Sequence, residues 1–386
     1  MADTIIHTDN RAKAWSAEYL REYVRDSGYG PYIYNIKDRP DGIFVVKRDL
    51  GKKRGDTVSI PLITRLKGQG VTGGSKLIGN EESIGNYGCP ITINWRRNAV
   101  VIDKDQDFRT PVDVRAAARP LLKDWSMEKL RDDISTAFLS VISGTNVTVN
   151  LTGSTSADRD AYVVGNADRI LFGNSVANMA TALAATTSEF ASGLATLDTT
   201  NDKCTAASMP LAKRLAKAAD PHIRPFRSDF SEGREYYVAF HGSRTFRDLK
   251  LDSAIANANL GARPREGKGM DDNPLFQDGD LIFDGIIHRE VPEIDALASL
   301  TGASWTSLDG KGASSADVRP VFLCGQQALG IAYGEMPKVV VETDAGGDYE
   351  FSYGVGIQEL IGVKKMAFNG KQHGMVTAFF AAAADS

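Results

Sequence analysis

The sequence predicts a mixed α+β fold, and three observations carry that prediction. A glycine-rich stretch joins two alternating strand patterns into a long hairpin with little apolar content at its tip. One long amphipathic helix follows it. Near the carboxyl end, Asn369-Gly370 sits between two apolar runs, a strong signature of a tight β-hairpin turn. The chain has 386 residues, 42% hydrophobic and 24% charged, enough to bury a sizeable core in two or three compact units. With 45 basic against 49 acidic side chains, the formal net charge is -4. That balance argues against disorder as the dominant state and against a protein that coats nucleic acid, which is normally basic.

In chain order, residues 1 to about 40 read as an irregular arm with one helical piece, roughly Ala12 to Arg25, broken by Gly28, Gly30 and Pro31. Ile43 to Val46 is a short apolar strand. In Thr57 to Leu66, Val58, Ile60 and Leu62 alternate with Thr57, Ser59 and Pro61, the period of a half-buried strand. Ile91, Ile93 and Trp95 continue that alternation in a second strand, Ile91 to Ile102. Between them, Lys67 to Pro90 holds eight glycines or prolines. A connection this long without apolar patterning is usually functional or disordered.

The best helix comes next. Asp107 or Thr110 can cap it, Pro111 suits its first turn, and the pattern runs to about Ser143, where Gly144 stops it. Met127, Leu130, Ile134, Ala137, Phe138 and Val141 fall on one face, and Glu128, Lys129, Arg131, Asp132 and Asp133 on the other. Pro120 is expected to kink or divide the helix near Arg119. Residues 176 to 208 are rich in Ala, Ser and Thr but keep Met179, Leu183, Phe190, Leu194 and Leu197 as anchors, so small-residue helices are expected there. A helix from Leu211 to Ala219 ends at Asp220-Pro221. Strands follow at Glu235 to Phe240, Leu281 to Val291, Pro320 to Cys324 and Val339 to Glu342. The last pair is Lys364 to Phe368 and Met375 to Phe380. No repeat is visible at periods of about 20 to 50 residues.

Few motifs point to chemistry. Gly68-Gln69-Gly70-Val71-Thr72-Gly73 matches GxGxxG after a strand, but a dinucleotide site needs a helix to start there and an acid about 20 residues later. Ser83 to Ile102 contains neither Asp nor Glu. Gly261 to Gly269 misses the P-loop spacing, and Asp271, Asp272, Asp278 and Asp280 lack the calcium-loop pattern. His7, His222, His241, His288 and His373 show no metal-ligand spacing. Cys89, Cys204 and Cys324 are too scattered for a disulfide framework or thiolate zinc site and suit a reducing compartment. No run reaches the roughly 18 apolar residues of a membrane span, and the start has no secretory pattern. No catalytic, cofactor-binding or metal-binding residue is assigned.

The hairpin does concentrate charge. From Asp41 to Lys76, eight basic side chains face three acidic ones, Asp41, Asp49 and Asp56. The basic set is Lys47, Arg48, Lys52, Lys53, Arg54, Arg65, Lys67 and Lys76. Glu81 and Glu82 sit together near the tip, and Arg96-Arg97 on the returning strand. Paired carboxylates can perform acid–base chemistry, but nothing concave is expected around them. An extended ribbon carrying both signs of charge suits contact with a neighbouring subunit. Arg65, Lys67, Lys76, Glu81, Glu82, Arg96 and Arg97 are its candidate contact residues.

Several of these segments also resemble a tailed-phage major capsid family, in the branch that includes the coliphage N-four capsid protein. They are Gly55-Asp56-Thr57-Val58, Leu66 to Gly73, Leu77 to Glu82, and Ile91-Thr92-Ile93 with Arg96 and Ala99-Val100. Further along come Asn273-Pro274-Leu275-Phe276 with Gly279, Gly285-Ile286-Ile287, Leu323 to Gly330, and Gly354 to Ile357. Order and approximate spacing hold from about residue 12 to 384. The sequence departs from the family at Pro120, at Ser126-Met127 and in the Ala/Ser/Thr-rich stretch.

The resemblance implies the Hong Kong 97 type of capsid fold. Residues 1–55 would be the N-terminal arm, 56–103 the extended E-loop hairpin, and 104–144 the spine helix of the peripheral domain. Residues 145–338 would be the axial domain, and 339–386 the return strands of the peripheral domain. It implies a structural shell protein with no cofactor, assembling with itself into hexameric and pentameric capsomers. Portal and scaffold or decoration proteins would be further partners, with double-stranded DNA enclosed without sequence-specific binding and no membrane contact. The place would be the virion capsid, reached through the cytoplasm of a bacterial host during assembly. An encapsulin-like nanocompartment shell is the nearer alternative, and a nucleotide-dependent enzyme using Gly68 to Gly73 the more remote one.

Overall fold

The structure, a computed structural model, describes residues 28–35, 42–48, 55–109, 114–144, 147–229, 234–262, 276–277, 280–299, 307–343 and 350–384. The expected Ala12 to Arg25 helix, Thr110, Pro111, most of Gly261 to Gly269, and Asp271, Asp272 and Asp278 lie outside them. So do His7, Asp49, Lys52, Lys53 and Arg54.

The chain forms two compact units. Trp95–Lys129 and Glu335–Leu360 belong to the first. The second comprises Ser27–Asn94, Leu130–Gly334 and Ile361–Ser386. In the first, Ala118 and Leu122 of the long helix pack with Val355 and Ile357 of the strand Ser352–Lys365, joined by Val100 and Trp125. Burial of such aliphatic side chains stabilises by about 1.5–3 kcal/mol each when complete. The strand Asn94–Asp103 neighbours Ser352–Lys365 at the end of a five-stranded sheet.

The second unit is built on an eight-stranded sheet. Its order runs Phe276–Gln277, Asp280–Phe283, Ile286–Glu290, Arg234–His241, Val318–Cys324, Met375–Ala381 and Ile170–Phe172, with Arg227–Asp229 paired to Arg234–His241. Val318–Cys324 and Met375–Ala381 are buried throughout, as strands covered on both faces must be. On one side Phe138 of the long helix stacks on Phe322, with centroids 5.1 Å apart, among Tyr29, Phe44 and Phe240. On another, the helix Ser208–Ala218 presents Met209, Ala212 and Ala216 to Leu323, Val376 and Phe380. A third cluster gathers Phe172, Phe190, Leu194, Leu197 and Phe379. The anchors of the small-residue region are therefore buried, except Leu183, which stays partly exposed.

Five expectations need correction. The long helix spans Val114–Leu139 with Pro120 inside it, so the proline does not divide it. It ends before the expected Ser143, because Val141–Ser143 pairs as a strand with Val147–Val149, and Gly144 at φ +65° serves that turn. β-Branched Val141 and Ile142 favour this outcome. Leu281 to Val291 is a hairpin, not one strand: Asp284 and Gly285 both adopt positive φ, and Leu281 pairs with His288. Ile91 to Ile102 is two strands, Asn86–Thr92 and Asn94–Asp103, interrupted at Ile93, whose N–H donates to the Asp56 carbonyl at 2.9 Å. Trp95 is consequently exposed while Ile91 and Ile93 are buried. Finally, Asn369-Gly370 does form the expected positive-φ turn, but it joins only Ala367–Phe368 to Lys371–Gln372. Met375–Ala381 leaves it to sit between Val318–Cys324 and Ile170–Phe172.

Candidate functional site

The hairpin's lower part is a regular antiparallel pair, Thr57–Ile63 with Asn86–Thr92, in which Val58 faces Ile91, Ile60 faces Cys89 and Leu62 faces Tyr87. Val58, Ile60, Cys89 and Ile91 are buried. Two glycines let this face settle. A Cβ on Gly330 would lie 2.6 Å from Ile91 Cδ1 and 3.0 Å from Met366 Sδ, and one on Gly362 would collide with the Thr92 carbonyl.

Above Ile63 the character changes. Thr64 N–H still bonds the Gly85 carbonyl at 2.9 Å, and no strand or helix follows before Asn86. Ile63, Leu66, Leu77, Ile78 and Ile84 are 60–85% exposed. The tip has no core of its own. Polar contacts shape it instead. Glu82 accepts from the N–H groups of Lys67 and Gly68, each at 2.6 Å, and these bonds hold its carboxyl below the usual carboxylate range. A Cβ on Gly68 would stand 2.7 Å from Glu82 Oε2, so the clamp favours glycine there. Glu81 accepts from Gly79 N–H at 2.7 Å.

The cations divide. Lys67 Nζ and Arg65 Nη2 reach Asp220 at 2.6 and 3.0 Å, and Lys67 first, then Arg65, lower that carboxyl's pKa. All three are about half exposed, so these pairs add little stability alone. Lys76 and Arg97 are exposed. Arg96 belongs to the other unit, where its Nε donates to Glu359 at 2.6 Å and Ser126 Oγ donates to the same oxygen at 3.1 Å. It is thus engaged within its own chain, and the hairpin proper holds the other candidates except Arg97.

Contrary to expectation, one of the paired carboxylates, Glu82, borders a concavity. A groove of about 1020 Å³ runs between the hairpin and the body of the second unit, with Arg65, Glu82, Asp220, Arg224, Gln326 and Lys371 on its walls. Gly70 and Gly73 adopt positive φ and Leu77–Asn80 forms a turn, so the glycine motif presents no helix terminus to a pyrophosphate. Among the described residues, no three His, Cys, Asp or Glu side chains are placed to hold a metal, and no helix is long and apolar enough to cross a membrane.

Two buried polar features had no sequence signature. His241 Nε2 and His288 Nδ1 lie 2.8 Å apart with both rings fully buried, and Cys204 Sγ is 4.0 Å from His241 Nδ1. Burial lowers both histidines, His288 to about 3. Lys365, also buried, donates to the Ser140 carbonyl at 2.6 Å just past the long helix, and burial brings its pKa down to about 7. Cys89, Cys204 and Cys324 are buried free thiols.

A folded body with a coreless, charged and apolar projection defines a protein that works through contact surfaces, and the comparisons agree. A profile of the phage capsid protein family matches residues 6–382, and the chain belongs to that family. It is 27% identical over 394 residues to the major capsid protein of Pseudomonas phage KPP25, covering 97% of this chain and 96% of that one. It is similar in structure to the capsid asymmetric unit of cyanophage Pam1, at TM-score 0.88 and 45% identity over all of both chains. The capsid of Ralstonia phage GP4 shares the fold, at TM-score 0.68 and 22% identity over all of both chains. This chain is a major capsid protein of a tailed phage, a structural subunit of the shell, with a Hong Kong 97-like fold. These relatives do not favour the nanocompartment alternative.

Proposed function

We propose that the chain builds its shell by lending the hairpin of each subunit to a neighbour, within pentameric and hexameric capsomers. The observation that carries this is the tip itself: five large aliphatic side chains lie 60–85% exposed on a ribbon that has nothing of its own to cover them. Exposed apolar surface of this kind marks interaction sites. Thr57–Thr92 then acts as the E-loop, Val114–Leu139 as the spine, and the body within 145–338 as the axial domain. Arg65, Lys67, Lys76, Glu81, Glu82 and Arg97 supply intersubunit polar contacts. Arg96, held by Glu359, serves its own subunit first.

The work is contact-making and requires no chemical step or cofactor. Each interface is heterologous, so rings close by repetition. The slight acidity fits an inner surface that does not grip packaged DNA at every phosphate. Assembly takes place in the host cytoplasm, with portal and scaffold or decoration proteins as partners and double-stranded DNA as cargo. Negative-stain microscopy of the purified chain, with enclosed nucleic acid quantified, tests this reading. Closed shells are expected, and in infected cells they hold DNA. A chain that stays monomeric at all concentrations contradicts it.

A further inference from the structure

The groove beneath the hairpin carries an excess of positive charge. Arg65, Lys67, Arg169, Arg224 and Lys371 line it, against Glu82 and Asp220. Most of these groups have partners already. Arg65 and Lys67 share Asp220, Glu82 faces the hairpin's own amides, and Arg169 and Lys371 lie 3.6 and 3.3 Å from Asp168. Arg224 is different. It is exposed, and among the described residues its guanidinium has no ion pair. At about 1020 Å³ the groove matches or exceeds the roughly 300–1,000 Å³ of small-molecule pockets, which leaves room for a peptide turn.

One segment of the chain has the opposite character. Residues 342–350 read Glu-Thr-Asp-Ala-Gly-Gly-Asp-Tyr-Glu, with four carboxylates and no basic side chain. The segment links the strands Leu329–Glu342 and Ser352–Lys365, and its ends, Glu342 and Glu350, are exposed. A heterologous contact that repeats around a ring needs two different complementary patches on one chain, and this chain has both. We propose that the acidic segment 342–350 of a second copy docks in the basic groove, its carboxylates meeting Arg224 and the Arg65–Lys67 pair. The inference rests on the shell reading and names the partner surface for the hairpin's base. Charge complementarity of this kind steers encounter and sets register more than it adds raw affinity.

The test uses two variants of the full chain that each add one cysteine, Arg224→Cys and Asp348→Cys, since the three native thiols are buried. Assembled together and oxidised mildly, they should give a disulfide-linked dimer that neither gives alone. Particles that form without that dimer overturn the docking while leaving the shell reading intact. A wild-type chain that never forms particles removes the shell reading itself. An intramolecular disulfide in the dilute, unassembled double variant also overturns the proposal, because the segment would then occupy its own groove. A second measurement reverses charge in the segment, Asp344→Lys with Asp348→Lys. Particle yield at low salt should drop about tenfold, and adding Arg224→Glu should restore part of it. If reversal leaves the yield unchanged while Arg224→Glu abolishes binding of a DNA oligonucleotide, the groove serves phosphates and the proposal fails.

Discussion

At Glu82 an exposed carboxylate organises backbone rather than another charge. Its bonds to Lys67 and Gly68 N–H tie the two sides of the tip together. Glu82→Ala should therefore speed hydrogen exchange at the Lys67 and Gly68 amides while leaving the circular dichroism spectrum unchanged. Unaltered exchange at both amides contradicts the clamp. The buried histidine pair makes a separate, pH-dependent prediction. Folding lowers both pKa values below 6.5, so the neutral rings contribute their full stability above that pH and lose it as pH falls toward the folded values, about 3 for His288. Two pH units below 6.5, His288 alone costs roughly 2–3 kcal/mol, at about 1.36 kcal/mol per unit, and His241 adds in the same direction. Urea unfolding from pH 7 to pH 4.5 should show this slope, reduced in His288→Gln. An identical slope in that variant excludes the pair as its source. Neither the clamp nor the pair was legible in the sequence. Charge at Glu82, Arg65 and Lys67 could be read, but Asp220 lies over 150 positions away from both cations, and His241 meets His288 only because two parallel strands bring them together.

Among the elements, those specified by local physics were the ones legible in advance. Alternating Val58, Ile60 and Leu62, the amphipathic run through Phe138, and the Asn369-Gly370 turn all act through neighbours in sequence. Asp284-Gly285 offers the same turn chemistry, but apolar residues on both sides give the whole run the pattern of one strand. The break at Ile93 had no local marker, since it arises from a change of strand partner. Pro120 illustrates the opposite case, a strong local breaker that does not divide the helix where Ala118 and Leu122 pack on either side of it. The hairpin's seating depends on glycine where backbone meets backbone. Gly362→Ala would drive a Cβ into the Thr92 carbonyl and should destabilise the subunit by about 3 kcal/mol or more, as overpacking does. Chemical denaturation measures this, and a cost below about 1 kcal/mol means the contact yields easily.

For the whole molecule, stability and assembly are separable. Among the described residues, the second unit's clusters around Phe322, Phe380 and Phe379 include none between Ile63 and Gly85. The tip's glycines lose conformational freedom when ordered, so it gains from order only where another subunit covers its aliphatic side chains. Reversing Glu81 and Glu82 to Lys should accordingly weaken assembly chiefly at low salt, where screening is least. The most direct measurement replaces Gly68 to Gly88 with a short turn and follows two readouts, folding by circular dichroism and shell closure by negative-stain microscopy. The expected result is a soluble, folded subunit with a near-normal spectrum that forms no closed shells. Wild-type-like shells from this variant, or a chain that cannot fold without its tip, would contradict the intermolecular role assigned to the hairpin.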